Sequence, residues 1–437
     1  MGTFRFAATG DSIFLRPFPQ AYTGWKEVAD FLKLADVRMN NMENVLSDYD
    51  CCASAYCGTP WLCAPPSRLD DLTSRFDFQL YSFANNHTLD YFYSGMQSTL
   101  DAFRERGLAV SGAGEDLEKA TRHCSAKTEK GSCALISVTT TCDDSARAGY
   151  AHDCIPGRPG VNKLRHIAQY TIRPDKMANL REIAEVTCID GRANNSRKGG
   201  YLPQKPGVFY FGGHEFLEGE EEGKSSVPHP KDLARICDAV RKAKAECDYA
   251  VVYFHSHEIR GMDDEETDFF LDAFCHAVID AGADACIGSG THQVKAVEFY
   301  KGKPIFYSIA NFIFRVSDME HLPMDYHDRF GVDPSLPAEE AVAVQTKNGT
   351  AGLEIESYCY RALSAMITWE DGKVREVIAK PLGLGFHASK EEKGLPRSAN
   401  AEETELLLRQ LQKLSAPYGT KISLREDGML VFEPAEQ

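Results

Sequence analysis

Asp11, Glu43, Asn86, His87, His255, His257, Glu258 and His292 are the residues whose types and spacing could do chemistry in this chain. Each follows, at or just beyond its end, a short apolar or β-forming run. In an open α/β sheet the ligand crevice lies outside the carboxyl ends of the strands, so such residues converge on one rim. Carboxylates, an amide oxygen and several imidazoles form a mixed oxygen and nitrogen set suited to Zn2+, Mn2+ or Fe2+. Magnesium alone would not need so many imidazoles. Taken singly, each residue has a plainer reading. Gly10-Asp11 reads as a β-turn with the carboxylate as a helix cap. His87 and His292 read as hydrogen-bonded loop residues, and His255 and His257, two apart, share one side of an extended strand. The informative feature is the coincidence of candidate ligands at four or more strand ends.

The elements that must position these residues alternate between strand and helix. Phe4, Phe6 and Ala8 begin a strand expected to stop at Gly10-Asp11, and residues 37–42 form a second that ends at Glu43. Residues 78–84 form a third, ending at Asn85-Asn86-His87, and 134–138 a fourth. Residues 249–254 are an almost unbroken β-forming run of the kind buried on both faces. A short strand at 283–287 leads into Gly288-Ser289-Gly290-Thr291-His292. Apolar residues at helical spacing predict helices at 24–34, 94–106, 232–247, 266–281 and 402–414. Lys301-Gly302, Asp371-Gly372 and Asp427-Gly428 predict hairpins. Residues 143–227, punctuated by Pro and Gly and nearly all acidic at 218–222, read as an irregular insertion. Helices alternating with strands, followed by hairpins, define an α/β class with added antiparallel edges.

The 437 residues fit one large domain or two ordinary ones, and 43% apolar with 26% charged residues excludes wholesale disorder. Lys and Arg total 48 against 64 Asp and Glu, a formal charge of −16 that disfavours non-specific nucleic-acid binding. An anionic ligand would therefore need a local positive site. No apolar stretch approaches the roughly 20 residues of a spanning helix, so membrane insertion is not expected. The N-terminus lacks the pattern of a signal peptide, and Phe6 breaks the myristoylation pattern, so a cytoplasmic location is expected. The 14 cysteines are read as reduced thiols. Cys51, Cys52, Cys57 and Cys63 lack paired zinc-site spacing and read as a cysteine-rich loop.

The segments Thr9-Gly10-Asp11, Asn41-Met42-Glu43, Ala84-Asn85-Asn86-His87-Thr88-Leu89-Asp90 and Gly112-Ala113-Gly114 resemble, in that order, the CapA or poly-γ-glutamate capsule biosynthesis family. Residues 156–165 (PGRPGVNKLR), 254–258 (FHSHE), 282–314 and 394–420 are similar to the same family, so the likeness spans nearly the whole chain. ANNHTLD and KGKPIFYSIANFIF are its specific stretches. That family is related to the calcineurin-like metallophosphoesterases. The resemblance thus implies a four-layer α/β/β/α sandwich with a metal centre at the strand ends. Residues 1–385, with the insertion at about 143–227, would form one such domain, and 386–437 a C-terminal helix and hairpin packed on it. Asp11 matches the first metal-binding Asp, Glu43 takes the place of the bridging Asp, and Asn86 matches the Asn ligand. His87 matches the histidine that contacts substrate, and His255 and His292 match the later metal-binding histidines.

The departures from that pattern matter. Metallophosphoesterases usually carry Asp-x-His first, whereas Asp11 is followed by Ser12-Ile13; their last motif is Gly-His-x-His, whereas here Ser289-Gly290-Thr291-His292 keeps only the final His. Many relatives have His at the position of Ser289, and His257 has two open readings, making up part of the deficit or being simply the form that relatives with HSHE share. About five plausible ligands remain, enough for one well-held cation and at best a weak second. A bound ion would activate water, His87 would stabilise or protonate the leaving oxygen, and Asp90 would orient His87. Glu258 has two open roles, general base or anchor of His255. Lys295 and Arg315 are candidate anion contacts, and Asn311 reads as a turn-former. Two functions follow: a metal-dependent hydrolase of a phosphoester or a γ-glutamyl or other amide bond, or a non-catalytic binding or assembly factor. The partner would be an anionic small molecule or a glutamyl polymer.

Overall fold

The computed structural model describes residues 2–56 and 58–435. It is a mixed α/β structure with several sheets and eleven α-helices among the described residues. The larger sheet runs, from one edge, through Thr420–Leu424, Leu430–Pro434, Lys373–Gly383, Arg361–Glu370, Thr3–Ile13, Val37–Met42, Leu80–Ser82 and Ala109–Ser111. A second sheet has the order Val297–Tyr300, Lys303–Phe306, Ala285–Gly290, Tyr249–Ser256, Gly131–Thr139, Cys124–Thr128. In the larger sheet Thr3–Ile13, Val37–Met42, Leu80–Ser82 and Ala109–Ser111 are mutually parallel and the other half is antiparallel, joining at Thr3–Ile13 and Arg361–Glu370; in the second sheet the central strands are parallel and the edge pairs antiparallel.

Side-chain alternation explains the packing. Along Tyr249–Ser256, Tyr249, Val251 and Tyr253 join the core shared with the larger sheet. Ala250, Val252 and Phe254 instead join a second core with the helices Pro230–Glu246 and Phe269–Asp280. This strand is buried on both faces, as its unbroken β-forming composition requires. Tyr249 stacks at 4.7 Å on Phe4 and 4.6 Å on Trp369, so aromatic rings from both sheets interlock. The three predicted hairpin turns connect antiparallel partners, with Lys301, Gly302, Asp371 and Gly372 at positive φ as two-residue turns of that kind require. The terminal helix, Ala401–Ser415, is fixed by a capping box between Asn400 and Glu403.

Two expectations are corrected. The first strand does not stop at Gly10-Asp11 in a turn; it continues to Ile13, and its register shifts around Asp11 as it takes up Asn311–Phe314 as a parallel neighbour. Gly10 permits this, because a Cβ there would lie 1.7 Å from the Ala310 carbonyl oxygen. The stretch read as irregular holds a four-stranded sheet, Phe209–Phe211, His214–Glu218, His166–Ile172 and Gly223–Pro228, with helices Pro174–Thr187 and Gly191–Lys198. Every residue of His166–Ile172 is half-buried, which blurs the alternation by which a strand is read from sequence. No helix among the described residues is long and apolar enough to cross a membrane.

Candidate functional site

Glu43 follows the Val37–Met42 strand directly and is fully buried; neither carboxylate oxygen has a hydrogen-bond partner among the described residues. Burial above all, then the nearby Asp11 and Asp90 charges, raises its carboxyl well above the ordinary value. A buried carboxylate without donors is costly unless a cation completes it. Nitrogen and oxygen atoms gather around it. His255 Nε2 lies 3.3 Å from Glu43 Oε1, 2.8 Å from Asn86 Oδ1 and 3.1 Å from His257 Nε2. Glu43, His257 and His292 offer ligand atoms within 4.8 Å of one another, and so do Asp11, Glu43 and His255. The two groups share Glu43. The chain therefore contains candidate metal-ligand groups of carboxylates and imidazoles.

The imidazoles are prepared to offer lone pairs. Burial lowers the His292 pKa and pushes that of His257 well below the ordinary value, which keeps these rings neutral. His292 sits at φ +58 and its Nδ1 lies 2.8 Å from Asn311 Oδ1. Asn311 in turn donates from Nδ2 to the Cys359 carbonyl at 2.9 Å, which orients the amide so that Oδ1 accepts from His292. His292 Nε2 is then the free acceptor. This corrects the reading of Asn311 as a turn-former: it is the first residue of a strand, and the positive φ falls on Ala310 instead. Sequence spacing held no signal for this pairing, because the two residues meet across the strand junction.

Asp11 is buried among donors. Asn41 Nδ2 donates to Oδ1 at 2.7 Å and the Ser289 hydroxyl at 2.5 Å, while the Gly290 amide donates to Oδ2 at 3.0 Å; the Tyr253 hydroxyl donates to Ser289 Oγ at 2.6 Å and stands 3.3 Å from Oδ1. Burial alone would raise its carboxyl, but His255, His292 and the Ser289 hydrogen bond hold it well below the usual carboxylate range. Asn41, Tyr253 and Ser289 were not singled out from sequence as partners of Asp11; only tertiary contact joins them.

His87 and Asp90 lie beside this cluster. His87 Nδ1 is 2.7 Å from Asp90 Oδ2, and Asp90 is itself fixed by the Gly58 amide at 2.9 Å and the Leu62 amide at 2.8 Å. Gly58 is sterically required, since a Cβ there would approach the His87 ring to 2.6 Å. A cleft of about 520 Å3 opens here, lined in part by Gly58, Asn86, Thr140, Lys163, Arg165 and His257. Glu258 also lines it, but its Oε2 accepts from the hydroxyls of Thr140, of Thr141 at 2.9 Å and of Ser256 at 2.8 Å. These hydroxyls, and not the His255 ring, are its bonded partners among the described residues.

Lys295 and Arg315 do not stand as free anion contacts. Lys295 is buried and donates to the Glu266 carbonyl at 3.1 Å, and burial lowers its pKa to about 8. Arg315 is buried against the Asp318 carboxylate and donates to the Glu391 carbonyl at 2.7 Å. Of the cysteine-rich loop, Cys51 is half-buried, Cys52 exposed and Cys63 buried, with burial pushing the Cys63 thiol up to about 12; Cys57 lies outside the described residues.

Two mixed sheets with a buried carboxylate–imidazole rim define an α/β protein with candidate metal-ligand groups at its strand ends. Residues 5–316 match the family model described as bacterial capsule synthesis protein PGA_cap, and the chain belongs to that family. It is 30% identical over 436 residues to each of the uncharacterized proteins y4sH and y4uA of Sinorhizobium fredii, covering 97% of this chain and 92% of each relative. It is 25% identical over 280 residues to the PGA biosynthesis protein CapA of Bacillus subtilis, covering 62% of this chain and 54% of that protein.

Proposed function

We propose that this chain is a metal-dependent hydrolase of a phosphoester or of a γ-glutamyl or other amide bond, acting in the cytoplasm on an anionic small molecule or glutamyl polymer. The proposed architecture is the four-layer α/β/β/α sandwich of the metallophosphoesterases, and a role in capsule or polyglutamate synthesis is consistent with the family. One observation carries the reading: among the described residues neither buried oxygen of Glu43 accepts a hydrogen bond, although Asn86, His255, His257 and His292 gather around it. A divalent cation fits that donor set, and the mixture of carboxylate, amide and imidazole suits Mn2+, Zn2+ or Fe2+. Asp11, Glu43, Asn86, His255, His257 and His292 are the residues from which its ligands would be drawn.

When bound, the cation supplies Lewis acidity and a nucleophile at neutral pH. The protein's own groups account for the remaining chemistry. Asp90 holds His87 through Nδ1, leaving Nε2 to hydrogen-bond the leaving oxygen or nitrogen and to transfer a proton to it. The cleft beside Asn86 and His257 admits the substrate, with Glu258 on its wall as the candidate base.

The deciding experiment is metal analysis of untagged protein produced with manganese, zinc and iron supplementation, alongside Glu43→Gln. Bound transition metal in the wild type and its loss in the variant support the hydrolase. Metal-free wild type turns the reading to a non-catalytic binding or assembly factor for an acidic polymer. Turnover screens on phosphodiesters and γ-glutamyl peptides then separate the two hydrolase branches.

A further inference from the structure

We propose that the rim holds one cation, through Glu43, Asn86, His255, His257 and His292, and that Asp11 is a positioning residue for His255 instead of a ligand. The inference rests on the metal-dependent reading and sorts its candidate ligands.

The two nitrogens of His255 face different surroundings. Nε2 meets Asn86 Oδ1 at 2.8 Å, His257 Nε2 at 3.1 Å and Glu43 Oε1 at 3.3 Å. Octahedral ligands about 2.1 Å from one ion lie roughly 3 Å apart, and these separations fall around that value. Each of these contacts is also within hydrogen-bond or ion-pair reach, and the position of the His255 proton decides between hydrogen bonding and ligation. Nδ1 instead lies 3.3 Å from Ser289 Oγ and 3.4 Å from Asp11 Oδ1. A proton on Nδ1, drawn to the Asp11 carboxylate, leaves the Nε2 lone pair in the cluster, as a carboxylate behind a metal-binding histidine does.

Asp11 is already committed. Its Oδ1 accepts from Asn41 and from Ser289, whose hydroxyl in turn accepts from Tyr253 at 2.6 Å, and its Oδ2 accepts from Gly290. A carboxylate has about four acceptor sites in all, so these donors use most of its capacity. Glu43 is the opposite case: equally buried, with neither oxygen hydrogen-bonded among the described residues and only the His255 ring within ion-pair distance. Of the two carboxylates, Asp11 is supplied with hydrogen-bond donors and Glu43 is not. Asp11, Glu43 and His255 still lie within ligand reach of one another, so ligation by Asp11 is the arrangement the experiment must separate.

Metal-stripped full-length protein is titrated with Mn2+, the bound metal counted by mass spectrometry and the spin state read by electron paramagnetic resonance. The expected result is one equivalent with the six-line spectrum of an isolated Mn2+. Asp11→Asn should still reach one equivalent at saturation with affinity reduced about 10- to 100-fold, whereas Glu43→Gln and His257→Ala should lose tight binding. Two equivalents with an exchange-coupled spectrum would overturn the inference while leaving the hydrolase reading intact. Abolished binding in an Asp11→Asn protein that melts cooperatively would do the same. No binding by the wild type would overturn both. Should Asp11→Asn not fold, the wild-type count and spectrum still test the single-ion claim.

Discussion

The rim of the two large sheets and the inserted sheet built around His166–Ile172 are opposites in the same chain. At the rim, Asp11, Glu43 and His255 are 0% exposed, and the strands behind them are buried on both faces. In the insertion the central strand is half-buried throughout, helix Pro174–Thr187 buries only Met177, and helix Gly191–Lys198 buries no side chain. Ile183, Val186 and Ile189 remain exposed. Cooperative stability follows buried apolar contact, so the rim belongs to the most stable unit and the insertion to the least. Fixed polar atoms without partners can persist only where packing over-determines them, which is why the unsatisfied carboxylate of Glu43 lies in the first region.

The largest effect should come from the helix layer that backs the rim strands. Phe274 is fully buried between Phe269–Asp280 and the second sheet, so Phe274→Ala should cost about 3–5 kcal/mol in denaturant melts. A loss below about 1 kcal/mol would remove the contrast between the regions. Next, His87→Asn should reduce kcat about a hundredfold, near 2.7 kcal/mol, on any substrate the metal-loaded protein turns over, with metal content unchanged. Asp90→Asn should lower it less and shift the acid limb of the pH–rate profile. Equal metal loss in both variants would make them structural.

The buried carboxylate gives a third, signed expectation. In metal-free protein the folded Glu43 carboxyl titrates well above 4.5, chiefly because it is buried. The native state thus keeps a proton that the unfolded chain releases, and this group's contribution to stability is full below the unfolded pKa and lost as pH rises. Glu43→Gln should match wild type near pH 4 and become progressively the more stable of the two towards pH 7, read from melts across that range. Saturating Mn2+ should erase that gap by stabilising wild type alone. Asp11, held low, has the opposite sign: its contribution is present above the unfolded pKa and fades only in strong acid. The smallest effect belongs to the insertion, where Val186→Ser should change stability by no more than about 0.5 kcal/mol. A larger loss would mean the exposed helix face is covered by contacts outside this chain.

Much of the fold was legible before any coordinates. Runs such as Tyr249–Ser256 and paired turn residues such as Asp371-Gly372 carry local physics, namely β-propensity and positive-φ turns, that acts wherever the chain goes. The inserted strands were not legible, because half-buried residues show neither clean alternation nor an apolar run. The candidate site divides similarly. Residue types at strand ends pointed to Asp11, Glu43, Asn86, His255, His257 and His292, and the structure brings these into one neighbourhood. The Asn311–His292 and Ser289–Asp11 hydrogen bonds were not legible, nor was the continuation of the first strand through Asp11.

The sequence by itself determined which side chains could coordinate, and that parallel strands would deliver them to a common edge. Only the tertiary structure decided which acceptors are already satisfied: Asp11 accepts hydrogen bonds from Asn41 and Ser289, and Glu43 accepts none among the described residues. The physical reason is that donor and acceptor capacity is intrinsic to a residue, whereas its satisfaction depends on atoms brought within about 3 Å from distant parts of the chain.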